Sequence, residues 1–129
     1  MTDANVLISA IVFRSSKMSA VLLKVIAEHE LCIATYTIEE VKRIINEKFG
    51  DVEVDISEFF EDFPYTLIET PFDSDSPLVN IRDASDYPVI YTAITGQVDV
   101  LLTGDKDFFD LKIDRPEIMQ PLDFLDRYK

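Results

Sequence analysis

Short apolar runs rich in β-branched residues alternate along this chain with longer segments whose apolar residues recur every three or four positions. That alternation constrains the fold more than any other feature. MSAVLLKVIAEHE (18–30) carries Val21, Leu22, Val25 and Ile26 at helical spacing, and LCIATY (31–36) predicts a buried strand. TIEEVKRIINEKFG (37–50) predicts a helix with Val41, Ile44, Ile45 and Phe49 on one face, ended by Gly50. ISEFFEDF (56–63) predicts a short helix, YTLIET (65–70) a strand, and the Pro-, Ser- and Asp-containing stretch from Pro71 to Asp83 a loop. SDYPVIYTAITG (85–96) predicts a helix, because Pro88 is tolerated in a first turn and Gly96 supplies the stop. DVLLTG (99–104) is a second apolar strand, KDFFDL a helical turn, EIMQ (117–120) an edge strand, and PLDFLDRY (121–128) a last helix opened by proline. Strands alternating with helices predict an α/β fold with a mainly parallel sheet covered on both faces. In such sheets ligands bind beyond the carboxyl ends of the strands.

The chain is long enough to close one core. Its 129 residues form one expected domain, 1–129, and 47% of them are apolar, with nine Phe. The lone Cys32 excludes an internal disulfide, reads as a small buried hydrophobe, and fits a reducing, cytoplasmic compartment. No apolar stretch approaches a membrane span and no charged leader precedes an apolar core, so no membrane role is expected. Residues 59, 60 and 63, all Phe, read as core or as a partner or dimer surface. The charge is unusual: 25 acids against 12 bases give −13. Nucleic-acid grip by counterion release favours basic proteins. Charge alone therefore points to a basic protein partner or a cation site, or merely to a solvated acidic surface.

The acids cluster where the topology would gather them. Asp3 opens the chain, Glu39 and Glu40 follow LCIATY, Asp83 and Asp86 precede the helix before DVLLT, and Asp105 and Asp107 follow DVLLT. Each has an ordinary structural alternative. Thr37-Ile-Glu-Glu40 matches a capping box; Asp83, Ser85 or Asp86 suits a helix start; Asp105 suits the cap of a short turn. Together, several carboxylates at one sheet edge repel one another unless a cation neutralises them. An all-oxygen donor set suits Mg²⁺ or Mn²⁺. One Cys and one His are too few for a usual zinc set. His29 reads as a surface or helix-end residue. No suitable Ser, Cys and His set supports a nucleophilic triad. No G-x-x-x-x-G-K-[ST] loop is present, and three glycines argue against a dinucleotide fold.

Four segments in order resemble the PIN-domain family. Asp3-Ala-Asn5-Val-Leu-Ile-Ser9 is similar to its Asp-x-Asn opening, and Glu40 in IEEVKRII to its helix glutamate. Arg82-Asp-Ala-Ser-Asp86-Tyr-Pro-Val resembles its third acidic motif, and Leu102-Thr-Gly-Asp105-Lys-Asp107-Phe its Thr/Ser-x-Asp motif. The match spans nearly the whole chain and is nearest to small bacterial PIN proteins, many of them toxins of toxin–antitoxin pairs. The resemblance implies a three-layer α/β/α sandwich and a Mg²⁺- or Mn²⁺-dependent endoribonuclease acting on RNA. It makes Asp3, Glu40, Asp86 and Asp105 the metal-binding catalytic quartet. Asn5, Thr103, Asp83 and Asp107 become supporting residues that orient carboxylates or water. Glu40 is preferred to Glu39 because it directly precedes the aliphatic Val41. Arg14, Lys17, Arg82 and Lys106 are candidate RNA-phosphate contacts, or charges that balance an acidic surface. An antitoxin protein and a second copy of the chain are the expected partners. The family carries several apolar residues before its first Asp where this chain has only Met1 and Thr2. Such a start is trimmed, misassigned or truly short; if truly short, the middle strand is curtailed and Asp3 sits beside a cationic α-amine. The alternative reading is a catalytically degenerate PIN-fold module that binds a basic protein. A haloacid-dehalogenase-like phosphatase would need a second acid where Asn5 stands, and a receiver domain a different order of acids.

Overall fold

Asp3 sets the first element. Its backbone is extended and its carboxylate accepts a hydrogen bond from Val6 N, so it caps a helix that begins at once (α1, Ala4–Ile11). The computed structural model describes residues 1–48, 50, 60–61, 63–71 and 86–128. After α1 come α2 (Ser16–Glu28), β1 (Cys32–Ala34), α3 (Thr35–Lys48), β2 (Thr66–Ile68) and α4 (Tyr87–Thr95). β3 (Val100–Leu102), α5 (Lys106–Phe109), β4 (Glu117–Met119) and α6 (Pro121–Arg127) complete the order. Ser15 caps α2 through Met18 N, and Gly96 closes α4 by donating to Thr92 O.

In the order of elements one expectation is corrected and one element is added. The strand predicted over 31–36 stops at Ala34, because Thr35 and Tyr36 spend their polar groups on Thr70 and start α3 instead of extending a ladder. α1 itself was not anticipated, since its contiguous Val6, Leu7 and Ile8 do not show helical periodicity. Of the helix predicted over 56–63, residues 60 and 61 are helical and most of the rest lies outside the described residues. The predicted loop after Pro71, and Phe49 and Phe59, also lie outside them.

All described strand pairs are parallel. β1 pairs with β2 (Cys32 with Thr66) and β3 with β4 (Val100 with Glu117). The first residues join β3 through a single parallel bridge, Thr2 to Leu102. Leu102 N donates to Met1 O at 2.7 Å and Asp3 N donates to Leu102 O at 3.2 Å. This bridge fixes where the first acid sits: level with the carboxyl end of β3.

Alternate strand residues enter opposite cores, as the two-residue pleat requires. Ile33 and Leu102 pack with apolar residues of α1, α2, α3 and α6. Ala34 and Leu101 pack with Val89, Ile90, Tyr91 and Ala93 of α4 and Phe108 of α5. The described strands, two parallel pairs, are therefore covered by helices on both faces, as the alternation predicted. Each fully buried aliphatic side chain contributes about 1.5–3 kcal/mol. Cys32 is only half-buried, contrary to its reading as a core residue. Phe60 packs against the core with its ring edge-on to Tyr65 at 5.8 Å. His29 ends α2, exposed, its ring against Phe124 and Tyr128. Among the described residues no single helix is long and apolar enough to cross a membrane.

Candidate active site

The acids sit where strands hand over to helices. Asp3 follows the Thr2 bridge and caps α1. Glu40 lies in α3, directly behind β1. Asp86 is the residue before α4, and Asp105 caps α5 just after β3. These ends converge on one small cavity of about 90 Å³, lined by Asp3, Ala4, Asn5, Glu40, Ile44, Asp86, Val89, Asp105 and Phe108. Among the described residues no Lys or Arg lines it. Arg43 approaches Glu40 from outside at 3.9 Å, with its own side chain largely exposed.

Thr103 organises the floor. It is fully buried, and its hydroxyl donates to Asp3 Oδ2 at 2.5 Å while accepting from Asp105 N at 3.1 Å. One hydroxyl thus ties the two acids of neighbouring chain segments together. Burial pushes the Asp3 carboxyl above its ordinary range. The Thr103 hydroxyl and the Val6 amide pull it back, and the nearby charge of Asp105 adds to the rise. The α-amine of Met1 donates to Val100 O at 2.7 Å. Burial lowers its pKa to about 6, so at neutral pH it is mainly uncharged and not the cation expected beside Asp3.

Asp105 Oδ1 accepts from Asp107 N at 2.9 Å. The capping alternative for Asp105 therefore holds, and it also turns Asp107 toward the cluster. Carboxylate oxygens of Asp86, Asp105 and Asp107 all lie within 4.8 Å of one another, close enough to share one cation. Asp107, expected only in a supporting place, thus joins the tightest group of donors. Asp86 makes no capping hydrogen bond through its side chain. The capping-box alternative for Glu40 does not hold, because α3 begins at Thr35 and leaves Thr37 inside the helix.

Sequence reasoning missed Tyr36. Its phenol lies one helical turn before Glu40 and feels the charges of Glu40 and Asp86. Burial and the Glu40 charge hold its phenol above the ordinary range. A polar-ended aromatic at a strand–helix junction looked like core in the sequence. Among the candidate RNA contacts, Lys106 is exposed beside Asp105, and Arg14 and Lys17 are exposed between α1 and the first turn of α2. None of these three lines the cavity. Arg82 and Asp83 lie outside the described residues.

A family model of the PIN domain matches residues 1–107, a span that holds every acid of the cavity. The chain belongs to the PIN-domain family. PIN domains are typically nucleases, and they generally use divalent metals. No curated protein matches the chain. For a PIN domain the donor set is apt: among the described residues, four carboxylates and no Lys or Arg line the cavity. Oxygen ligands of this kind suit a hard divalent ion. Thr103→Val is expected to fold, to weaken divalent-metal binding by about 10–100-fold, and to cost about 1–3 kcal/mol because the Asp105 amide and Asp3 Oδ2 lose their partner. Metal titration calorimetry and thermal melting read the two effects separately.

Proposed function

We propose that this PIN domain, a single catalytic unit over residues 1–129, is a Mg²⁺- or Mn²⁺-dependent endoribonuclease. The observation that carries the reading is the one cavity shared by Asp3, Glu40, Asp86 and Asp105. Asp86, Asp105 and Asp107 hold the cation, with Asp3 and Glu40 completing the negative wall. When bound, the ion supplies Lewis-acid polarisation of a scissile phosphate and acidifies water for attack, leaving a 5′-phosphate and a 3′-hydroxyl.

The chain's own residues do the positioning. Thr103 keeps the Asp3 and Asp105 carboxyls in fixed register. Asn5, exposed at the rim, is placed to donate to a phosphate oxygen or a water. Arg14, Lys17, Arg82 and Lys106 offer charges to the flanking backbone. The −13 charge opposes RNA approach, so binding rests on the neutralising ion. The same acidity favours a basic protein partner, which fits the toxin component of a toxin–antitoxin pair in the cytoplasm.

The test is cleavage of mixed single-stranded and structured RNA with Mg²⁺, Mn²⁺ or EDTA. Cleavage with metal and none with EDTA is the expected result; cleavage in EDTA, or none in any condition, overturns the reading.

Asp3 adds a pH dependence. Its folded pKa lies above the ordinary 3.8, so the fold favours its protonated form. That stabilisation is full below the unfolded pKa and is lost as pH rises through the folded one. Metal-free protein is therefore expected to melt higher at mildly acidic pH than at neutral pH. Metal binding and cleavage go the other way, since the ligands must be ionised. Calorimetric melting in EDTA across pH 4–8, with Asp3→Asn flattening the curve, checks the assignment.

A further inference from the structure

Thr70 lies outside the acidic cavity, just after β2, yet it is bound to both helices that carry acids into it. Its backbone N–H donates to Thr35 Oγ1 at 3.0 Å, and its hydroxyl oxygen accepts from Tyr36 N at 3.1 Å. Both partners belong to the first turn of α3. Without Thr70 the Tyr36 amide would be one of the orphan donors of a helix start. On the other side, the Thr70 and Thr92 hydroxyls are 3.0 Å apart, and Thr92 Oγ1 donates to Pro88 O at 2.6 Å. A hydroxyl has one proton. The shorter bond takes the proton of Thr92, so Thr70 donates to Thr92. The Thr35 hydroxyl, 3.2 Å away, then donates to Thr70. Every hydroxyl proton runs one way: Thr35 to Thr70, Thr70 to Thr92, Thr92 to Pro88 O.

We propose that Thr70 is a positioning residue that sets the spacing of Glu40 and Asp86 across the cavity. The α3 arm ends on the Tyr36 amide, one helical turn before Glu40 in the same helix. The α4 arm ends on Pro88, two residues from Asp86, with Thr92 fully buried as its anchor. A short strand of three residues cannot by itself fix two helices that leave opposite faces of the sheet. The hydroxyl chain does so without contributing a charge. The inference rests on the proposed metal site.

Mn²⁺ titration calorimetry on wild type, Thr70→Val, Thr70→Ser and Thr92→Val tests it, with melting curves for fold and kcat and KM on RNA. Thr70→Val keeps the shape and removes the hydroxyl. It is expected to weaken Mn²⁺ at least about 10-fold and to lower kcat more than it raises KM. Thr70→Ser restores the wild-type values, and Thr92→Val resembles Thr70→Val. Equal Mn²⁺ binding by wild type and Thr70→Val overturns the positioning role and leaves the nuclease reading standing. Loss in Thr70→Ser as large as in Thr70→Val overturns it too, since packing would then explain the effect. If Thr70→Val does not fold, Thr92→Val decides by the same comparison. Absence of Mn²⁺ binding in wild type overturns both readings.

Discussion

An Asp105→Asn protein is expected to fold normally and to lose RNA cleavage by at least about 10²-fold. The fold survives because asparagine caps a helix as well as aspartate does. Its side-chain oxygen can still accept from Asp107 N, the bond that Asp105 Oδ1 makes at 2.9 Å. Thr103 Oγ1 still accepts from the residue 105 amide, which substitution does not touch. What disappears is one negative charge from the group of Asp86, Asp105 and Asp107, whose oxygens lie within 4.8 Å of one another. A divalent ion held by three carboxylates loses a third of its compensating charge. Circular dichroism, Mn²⁺ titration and cleavage on the same preparation separate the terms. Unchanged spectra with weakened Mn²⁺ binding and no cleavage are expected. Retained metal-dependent cleavage would remove Asp105 from the mechanism.

The second large effect falls on stability. Phe108→Ala is expected to cost about 3–5 kcal/mol, against a total of about 5–15 kcal/mol for a domain of this kind. Phe108 is 2% exposed and packs with Met1, Val89, Ile90 and Leu101 on the α4 face of the sheet. It also lines the acidic cavity. α5 has only four residues, so its own backbone hydrogen bonds cannot hold it. The Phe108 ring is what seats it, and with it the cap Asp105 and the first-turn Asp107. Urea unfolding should therefore show a lower midpoint, and Mn²⁺ affinity should fall even at temperatures where the variant is folded. A loss of stability with wild-type Mn²⁺ affinity would mean that α5 is held by other contacts.

Much of this molecule was legible before any coordinates. The parallel pairing followed from strands alternating with helices. The helix that carries Pro88 in its first turn, the helix start at Pro121 and the stop at Gly96 followed from local chemistry that neighbours do not override. The candidate acids were legible for the same reason: each stands at a strand-to-helix junction, and parallel topology sends those junctions to one edge. α1 was not legible, because its apolar residues are contiguous and mimic a buried strand. Its one readable signal was Asp3, a good capping residue ahead of an apolar run.

The sequence by itself therefore determined the class of fold, the order of its elements after α1, and the strand ends at which candidate acids stand. Periodicity and capping are local properties, and topology is additive over them. Only the tertiary structure decided that Asp107 stands with Asp86 and Asp105. It alone set the Tyr36 phenol against the charge of Glu40 and joined Thr103 to Asp3, 100 residues apart in the chain. It also let Thr70 couple two helices through hydroxyls that are unremarkable in a sequence. Those facts depend on distances between residues far apart in the chain, and a hydrogen bond is gained or lost within a few tenths of an ångström.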